Sequence, residues 1–214
     1  MIVAILGEKG GTGKTTFATN LAGMRAVAGR DVLILDADRQ GSASYWAEAR
    51  ERQEAPGVTA VQKFGTGIVR AVRDMARRYS DIVIDIAAGD SREIEGALRT
   101  ARRVIIPVQP AGLDVWTLGI IDERVGEAKL ASPELEAFVV LNRASTNPRD
   151  TDVEEAREAI GECQNFVVSD VVVRERVAIK RAAPKGLAVA EYRPVDAKAV
   201  EEMEALYQLA FGEG

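Results

Sequence analysis

Residues 7–16 read Gly7-Glu8-Lys9-Gly10-Gly11-Thr12-Gly13-Lys14-Thr15-Thr16, a run suited to holding phosphate. Gly10, Gly11 and Gly13 let the backbone curl, so that successive N–H groups, that of Thr12 included, point inward at phosphate oxygens. Lys14 has the reach for the β- and γ-phosphates of a nucleotide. The Thr15 hydroxyl can ligate Mg²⁺, and Thr16 can bond the α-phosphate. A helix starting near Lys14 adds the positive end of its dipole. Two further segments supply carboxylates. Val32–Leu35 runs into Asp36-Ala37-Asp38, and Ile82–Ile84 runs into Asp85, so acids emerge at the carboxyl ends of two apolar strands. Mg²⁺ takes few protein ligands and keeps several waters. Asp36 and Asp85 are therefore expected to hold Mg²⁺-bound waters rather than the ion. Asp38, two residues on, is the candidate to orient an attacking water. The chemistry implied is binding of ATP with Mg²⁺ and hydrolysis of the γ-phosphate.

The elements that must position these groups alternate between strand-like and helix-like. Short apolar runs are expected as strands at Ile2–Leu6, Val32–Leu35, Val58–Gln62, Asp81–Ile86, Val104–Val108, Phe138–Asn142 and Phe166–Val173. Helical periodicity is expected over Lys14–Ala28, Ser42–Glu54, Gly67–Tyr79, Ser91–Ala101, Leu113–Leu130, Asp152–Glu162 and Asp196–Phe211. Continuous apolar strands joined by helices predict an α/β fold, a mostly parallel twisted sheet with helices on both faces. Ligands of such sheets sit outside the carboxyl ends of the strands, where the acids and the glycine-rich loop fall. With 214 residues and no linker or repeat, one domain over 1–214 is the simplest reading.

Composition narrows the chemistry further. There is no histidine, which removes His-based catalysis and His metal sites, and the single Cys163 rules out an internal disulfide. No apolar run approaches the ~20 residues that span a bilayer, and the N-terminal run lacks a basic leader. A cytoplasmic protein is expected. The net charge of −5 argues mildly against strong nucleic-acid binding overall, although local patches can override it.

These motifs resemble those of the deviant P-loop ATPases of the ParA/MinD type. Lys9-Gly-Gly-Thr-Gly-Lys14-Thr-Thr looks like their modified Walker A motif, extra lysine included. Asp36-Ala-Asp38-Arg-Gln40-Gly41-Ser42 looks like their switch I, and Ile82-Val-Ile-Asp85-Ile-Ala-Ala-Gly89 like Walker B with switch II. Ile105–Pro110 and Val139–Arg143 are similar to two later family strands. The resemblance runs from residue 1 to about 190 and thins after Arg149. It implies that Lys9 reaches across an ATP-dependent homodimer to the partner's phosphates, a catalytic role beside Lys14 and Asp38. It also implies that Asn142 contacts adenine and that turnover is slow. Where the family often has Asp-Pro-Gln, this chain has Asp38-Arg39-Gln40. Arg39 is expected to leave the turn freer than proline would.

Among relatives, the nitrogenase iron protein needs cluster cysteines that this chain lacks. Dethiobiotin synthetase-like enzymes lack the extra lysine. MinD-like members end in a basic amphipathic helix that binds membrane. Here Val200, Met203, Leu206, Tyr207 and Phe211 form a stripe suited to a core, flanked by Glu201, Glu202, Glu204 and Glu213, so no membrane binding by this helix is expected. Small ParA-type proteins without an N-terminal DNA-reading domain fit best. That resemblance implies nonspecific DNA binding on the nucleoid, positioning of a plasmid or other cargo, and hydrolysis stimulated by a ParB-like or other small activator. Candidate DNA contacts are Arg174, Arg176, Lys180, Arg181 and Lys185, set against Glu175 alone, with Arg99, Arg102 and Arg103 as a second cluster. The alternatives are a MinD-like membrane-associated regulator and a small-molecule ATP-dependent enzyme on the same fold.

Overall fold

The computed structural model describes residues 1–89, 91–113, 115–161 and 163–212. Asp114 and Glu162, which the sequence reading placed in helices, and Glu213 of the final acidic set lie outside the described residues. Seven strands form one all-parallel sheet: β1 (Ile2–Ile5), β2 (Val32–Ala37), β3 (Thr59–Gln62), β4 (Asp81–Ile86), β5 (Arg103–Val108), β6 (Glu136–Ala144) and β7 (Val167–Arg174). Their order is β3-β2-β4-β1-β5-β6-β7. The helices are α1 (Lys14–Val27), α2 (Ser42–Arg50), α3 (Gly67–Met75), α4 (Ser91–Leu98), α5 (Val115–Ala131), α6 (Asp152–Ile160), α7 (Val177–Ala182) and α8 (Ala197–Phe211).

Successive strand side chains point to opposite faces, and both faces are covered. Ala4, Leu6, Leu33, Leu35, Ile82 and Ile84 pack on one side, with Ile68 of α3, Ile94 of α4, Leu118 of α5 and Ile160 of α6. Val3, Ile5, Ile34 and Val83 pack on the other, with Phe17 and Leu21 of α1, Trp46 of α2, Ile179 of α7 and Met203 and Leu206 of α8. This double burial is why the strands read as unbroken apolar runs. After β3 the chain returns to insert β4 between β2 and β1, then continues outward on the far side through β5. The reversal opens a crevice at the carboxyl ends around β1, which is where ligands bind in open α/β sheets.

Several expectations change. The second helix stops at Arg50 rather than Glu54, because the Arg50 side chain turns into the interior and Pro56 and Gly57 follow. The third stops at Met75 rather than Tyr79, and a turn closed by Arg78 N–H and Tyr79 N–H on the Met75 carbonyl leads to β4. Helix α7 and a 3₁₀ turn at Ala183–Lys185 occupy a stretch in which no element was expected. On α8 the fully buried positions are Ala199, Met203, Leu206 and Ala210, while Val200, Tyr207 and Phe211 are only half-buried. Its apolar face thus packs on the sheet, centred slightly off the expected stripe.

Candidate nucleotide site

The loop leaves β1 through buried Leu6 and Gly7 and enters α1 at Lys14. Gly13 sits at φ 101°, and a Cβ there would lie 2.1 Å from Asn142 Nδ2, so backbone freedom and space both demand glycine. Three side chains hold the loop by its carbonyls. Lys14 Nζ donates to the Lys9 carbonyl (2.8 Å), Asn142 Nδ2 to Thr12 (2.6 Å) and Gln109 Nε2 to Gly11 (2.8 Å). Lys14 is 8% exposed. Burial lowers the pKa of its ammonium, opposed by the charges of Asp85, Asp38 and Glu8. Lys9 is exposed at the rim, with its Nζ 3.4 Å from the Gly112 carbonyl.

The acids meet as the strand pattern foretold. Asp36 of β2 and Asp85 of β4 are register partners in adjacent parallel strands, so both project to the same side at the same height. Both are buried, at 0% and 1% exposure. They differ in what satisfies them. Asp36 Oδ2 accepts from the Ser44 hydroxyl (2.8 Å) and the Ser44 N–H (2.9 Å), and its Oδ1 accepts from the Asp38 N–H (3.1 Å). It therefore caps the first turn of α2, supplying the acceptor that Gly41 at the helix start cannot. Asp85 has no hydrogen-bond partner on either oxygen among the described residues. Burial, with Asp36 and Asp38 nearby, pushes its carboxyl up to about 7. The Thr15 hydroxyl and Lys14 pull the other way, Thr15 by proximity and without full hydrogen-bond geometry. The Thr12 hydroxyl is also buried without a hydrogen-bond partner among the described residues. A buried, unpaired carboxylate beside a second carboxylate is costly. The cation and hydroxyl donors of a metal–nucleotide complex are the species that would offset it, so this donor set fits Mg²⁺ with a phosphate chain.

Asp38 is half-buried and accepts from the Gln40 N–H through Oδ1 (2.9 Å), which closes the switch I turn. The guanidinium of Arg39, the next residue of that turn, lies over the Phe64 ring, 5.0 Å from the centroid, within cation–π range. Glu8 faces Arg124 of α5 (2.8 Å) and lies against Gly89, so P-loop, switch II and α5 converge on one carboxylate. Ser44, Gln109 and the Glu8–Arg124 pair were missed by sequence reasoning. Ser44 follows an acid-bearing strand at a helix start, and that was the available cue. The other contacts are long-range and left no local signal.

The Arg174–Lys185 segment is mostly spoken for. Arg174 Nη1 donates to the Ser145 carbonyl, Arg176 pairs with Glu202 (2.6 Å), and Lys180 pairs with Glu175. Lys185 lies over the Tyr192 ring, and Arg181 is exposed without an ion pair among the described residues. Arg174, Arg176 and Lys180 line a crevice with Thr16, Asn142 and Arg143, next to the P-loop. In the second cluster Arg103 is buried on Glu136, Arg99 pairs with Glu95 and Arg102 with Glu134.

Residues 3–189 match the sequence profile of the CobQ/CobB/MinD/ParA nucleotide binding domain. The chain belongs to that family. Over 202 residues it is 35% identical to a maintenance of carboxysome distribution protein A from Gloeobacter kilaueensis, spanning 94% of this chain and 88% of the relative. Two solved structures share the fold. One is an ATP complex of a McdA variant from Cyanothece (TM-score 0.74, 15% identity, 100% of this chain and 96% of that one). The other is MinD from Pyrococcus horikoshii with Mg-ADP (TM-score 0.72, 21% identity, 97% and 94%). The architecture is thus the P-loop fold of the MinD/ParA type.

Proposed function

We propose that the protein is a ParA-type positioning ATPase. It binds ATP with Mg²⁺, associates face to face with a second copy, binds DNA without sequence preference and is released when a small ParB-like or other activator stimulates hydrolysis. It would work in the cytoplasm on the nucleoid. The observation that carries this reading is the placement of Lys9 and Lys14 in one loop. Lys14 is buried across the P-loop, whereas Lys9 is exposed at its rim on a single long contact. A cation free to leave its own chain suits reaching a partner's phosphates, where it would offset charge that builds in the transition state. Likeness over nearly the full length to a protein that maintains carboxysome distribution favours a large assembly as cargo over a plasmid.

Each site residue then has a role. Mg²⁺, when bound, neutralises charge on the β- and γ-phosphates. The Thr15 hydroxyl would hold it directly, with Asp36 and Asp85 accepting from its waters. Gly10, Gly11, Thr12 and Gly13 present backbone N–H groups to the phosphates, Lys14 contacts the β- and γ-oxygens, and Thr16 contacts the α-phosphate. Asp38 orients the attacking water through the oxygen not engaged by Gln40. Asn142 holds the P-loop through Thr12 and borders the crevice where adenine would lie.

Lys14→Gln is expected to lose ATP binding. Lys9→Ala is expected to bind ATP but fail to dimerise or hydrolyse it. Fluorescent-nucleotide titration, phosphate release and gel shift with nonspecific DNA read these outcomes. DNA binding indifferent to nucleotide and to both lysines would overturn the proposal. Hydrolysis that requires a small-molecule acceptor would point instead to an enzyme on the same fold.

A further inference from the structure

Helix α3 carries a surface that the nucleotide site does not use. Ile68, Ala71 and Val72 are buried and fix its inner face. Arg70, Arg73 and Arg77, the last in the turn that continues the helix, are all exposed. At 3.6 residues per turn they fall within about 60° of one another, opposite the buried face, and span about 10 Å along the axis. Arg78 extends the group and is also exposed. Arg70 approaches Asp74 at 3.8 Å with both side chains mostly in water, a contact worth little. Arg73, Arg77 and Arg78 have no ion pair among the described residues. In a chain of net charge −5, most other arginine clusters are neutralised by a named carboxylate, so this unpaired stripe stands out.

We infer that the α3 arginine stripe is a docking surface for the phosphate backbone of DNA. This rests on the DNA-binding part of the proposed function and moves the contact away from Arg174–Lys185. Three observations favour it. The arginines share one exposed helix face, and Arg73, Arg77 and Arg78 have no ion pair among the described residues. The apolar face of α3 is committed to the core, leaving nothing to insert into a bilayer. The C-terminal end of α3 lies at the amino-end edge of the sheet, where Ala76, Tyr79, Met1 and Arg102 line one groove. That edge is opposite the P-loop, so two chains joined across their nucleotides would keep both stripes open.

The test uses the full chain with Mg²⁺·ATP, a duplex of random sequence and a series of KCl concentrations. The double variant Arg73→Gln/Arg77→Gln is expected to bind at least ~10-fold more weakly, with the slope of log K against log salt shallower by about two. Arg73→Lys/Arg77→Lys should restore most of the affinity. Arg181→Gln/Lys185→Gln should stay within about two-fold of wild type. Sedimentation of the ATP-bound variants reports whether each still folds and associates. Wild-type affinity in the α3 variant, or a loss confined to the Arg181/Lys185 variant, would overturn the inference while sparing the proposed function. A wild-type chain that binds no DNA in any nucleotide state would overturn both. So would capture by phosphatidylglycerol vesicles in place of DNA.

Discussion

Asp85 concentrates the electrostatic cost of the site in one residue. Its carboxyl is buried, has no hydrogen-bond partner among the described residues and is pushed up to about 7, first by desolvation and then by Asp36 and Asp38. The sign follows from proton counting. Between the ordinary carboxylate range and about pH 7 the folded chain holds a proton that the unfolded chain has released. Stability from this group is thus full at low pH and is lost as pH rises through 7. Asp85→Asn removes the ionisation. Thermal melts of the nucleotide-free chain should show the variant more stable than wild type at pH 8, by on the order of 2–4 kcal/mol, with the gap closing toward pH 5. Equal melting at both pH values would mean that a partner satisfies the carboxylate in solution. Much of this residue-scale chemistry was legible in advance, because an acid directly after a buried apolar strand has few places to go. The bracing role of Asn142 was not. Its hydrogen bond to Thr12 spans 130 positions in sequence, and family resemblance pointed only toward adenine.

Helix α2 links the switch to the rest of the chain. Its first turn is capped by Asp36 through Ser44, and its last residue, Arg50, is fully buried. The Arg50 guanidinium pairs with both oxygens of Glu191 (2.7 and 2.9 Å) and donates to the Gly186 and Pro56 carbonyls. The Trp46 indole N–H donates to the Leu187 carbonyl. Gly186, at φ 71°, lets this segment pass so close that a Cβ would lie 2.2 Å from the Arg50 nitrogen. Removing one partner of a buried pair strands the other charge. Glu191→Ala should therefore lower unfolding stability by about 3 kcal/mol, read as a fall in urea midpoint. A change under ~0.5 kcal/mol would show that water replaces the carboxylate. At this scale the sequence was informative where burial is two-sided and poor where it is not. All seven strands sit close to their expected places, since apolar runs between turns have one reading in a covered parallel sheet. Helix α7 escaped notice because six residues show too little periodicity, and Ala178, Ile179 and Ala182 anchor it only through contacts with distant elements.

At the scale of the molecule, the sheet order gathers the P-loop, both strand-end acids and the Glu8–Arg124 contact on its carboxyl edge, and places the C-terminal end of α3 beside the opposite edge. In the proposed function the nucleotide is a switch for association rather than a reagent for small-molecule chemistry. There Lys9 at the rim would be the link to a second chain, and Asp38 would end the associated state by orienting water. Sedimentation velocity of Asp38→Ala with Mg²⁺·ATP, compared with Mg²⁺·ADP, tests this most directly. A persistent dimer of the 23.1 kDa chain with ATP and a monomer with ADP are expected. A monomer in both nucleotides, or the same dimer in both, would contradict it.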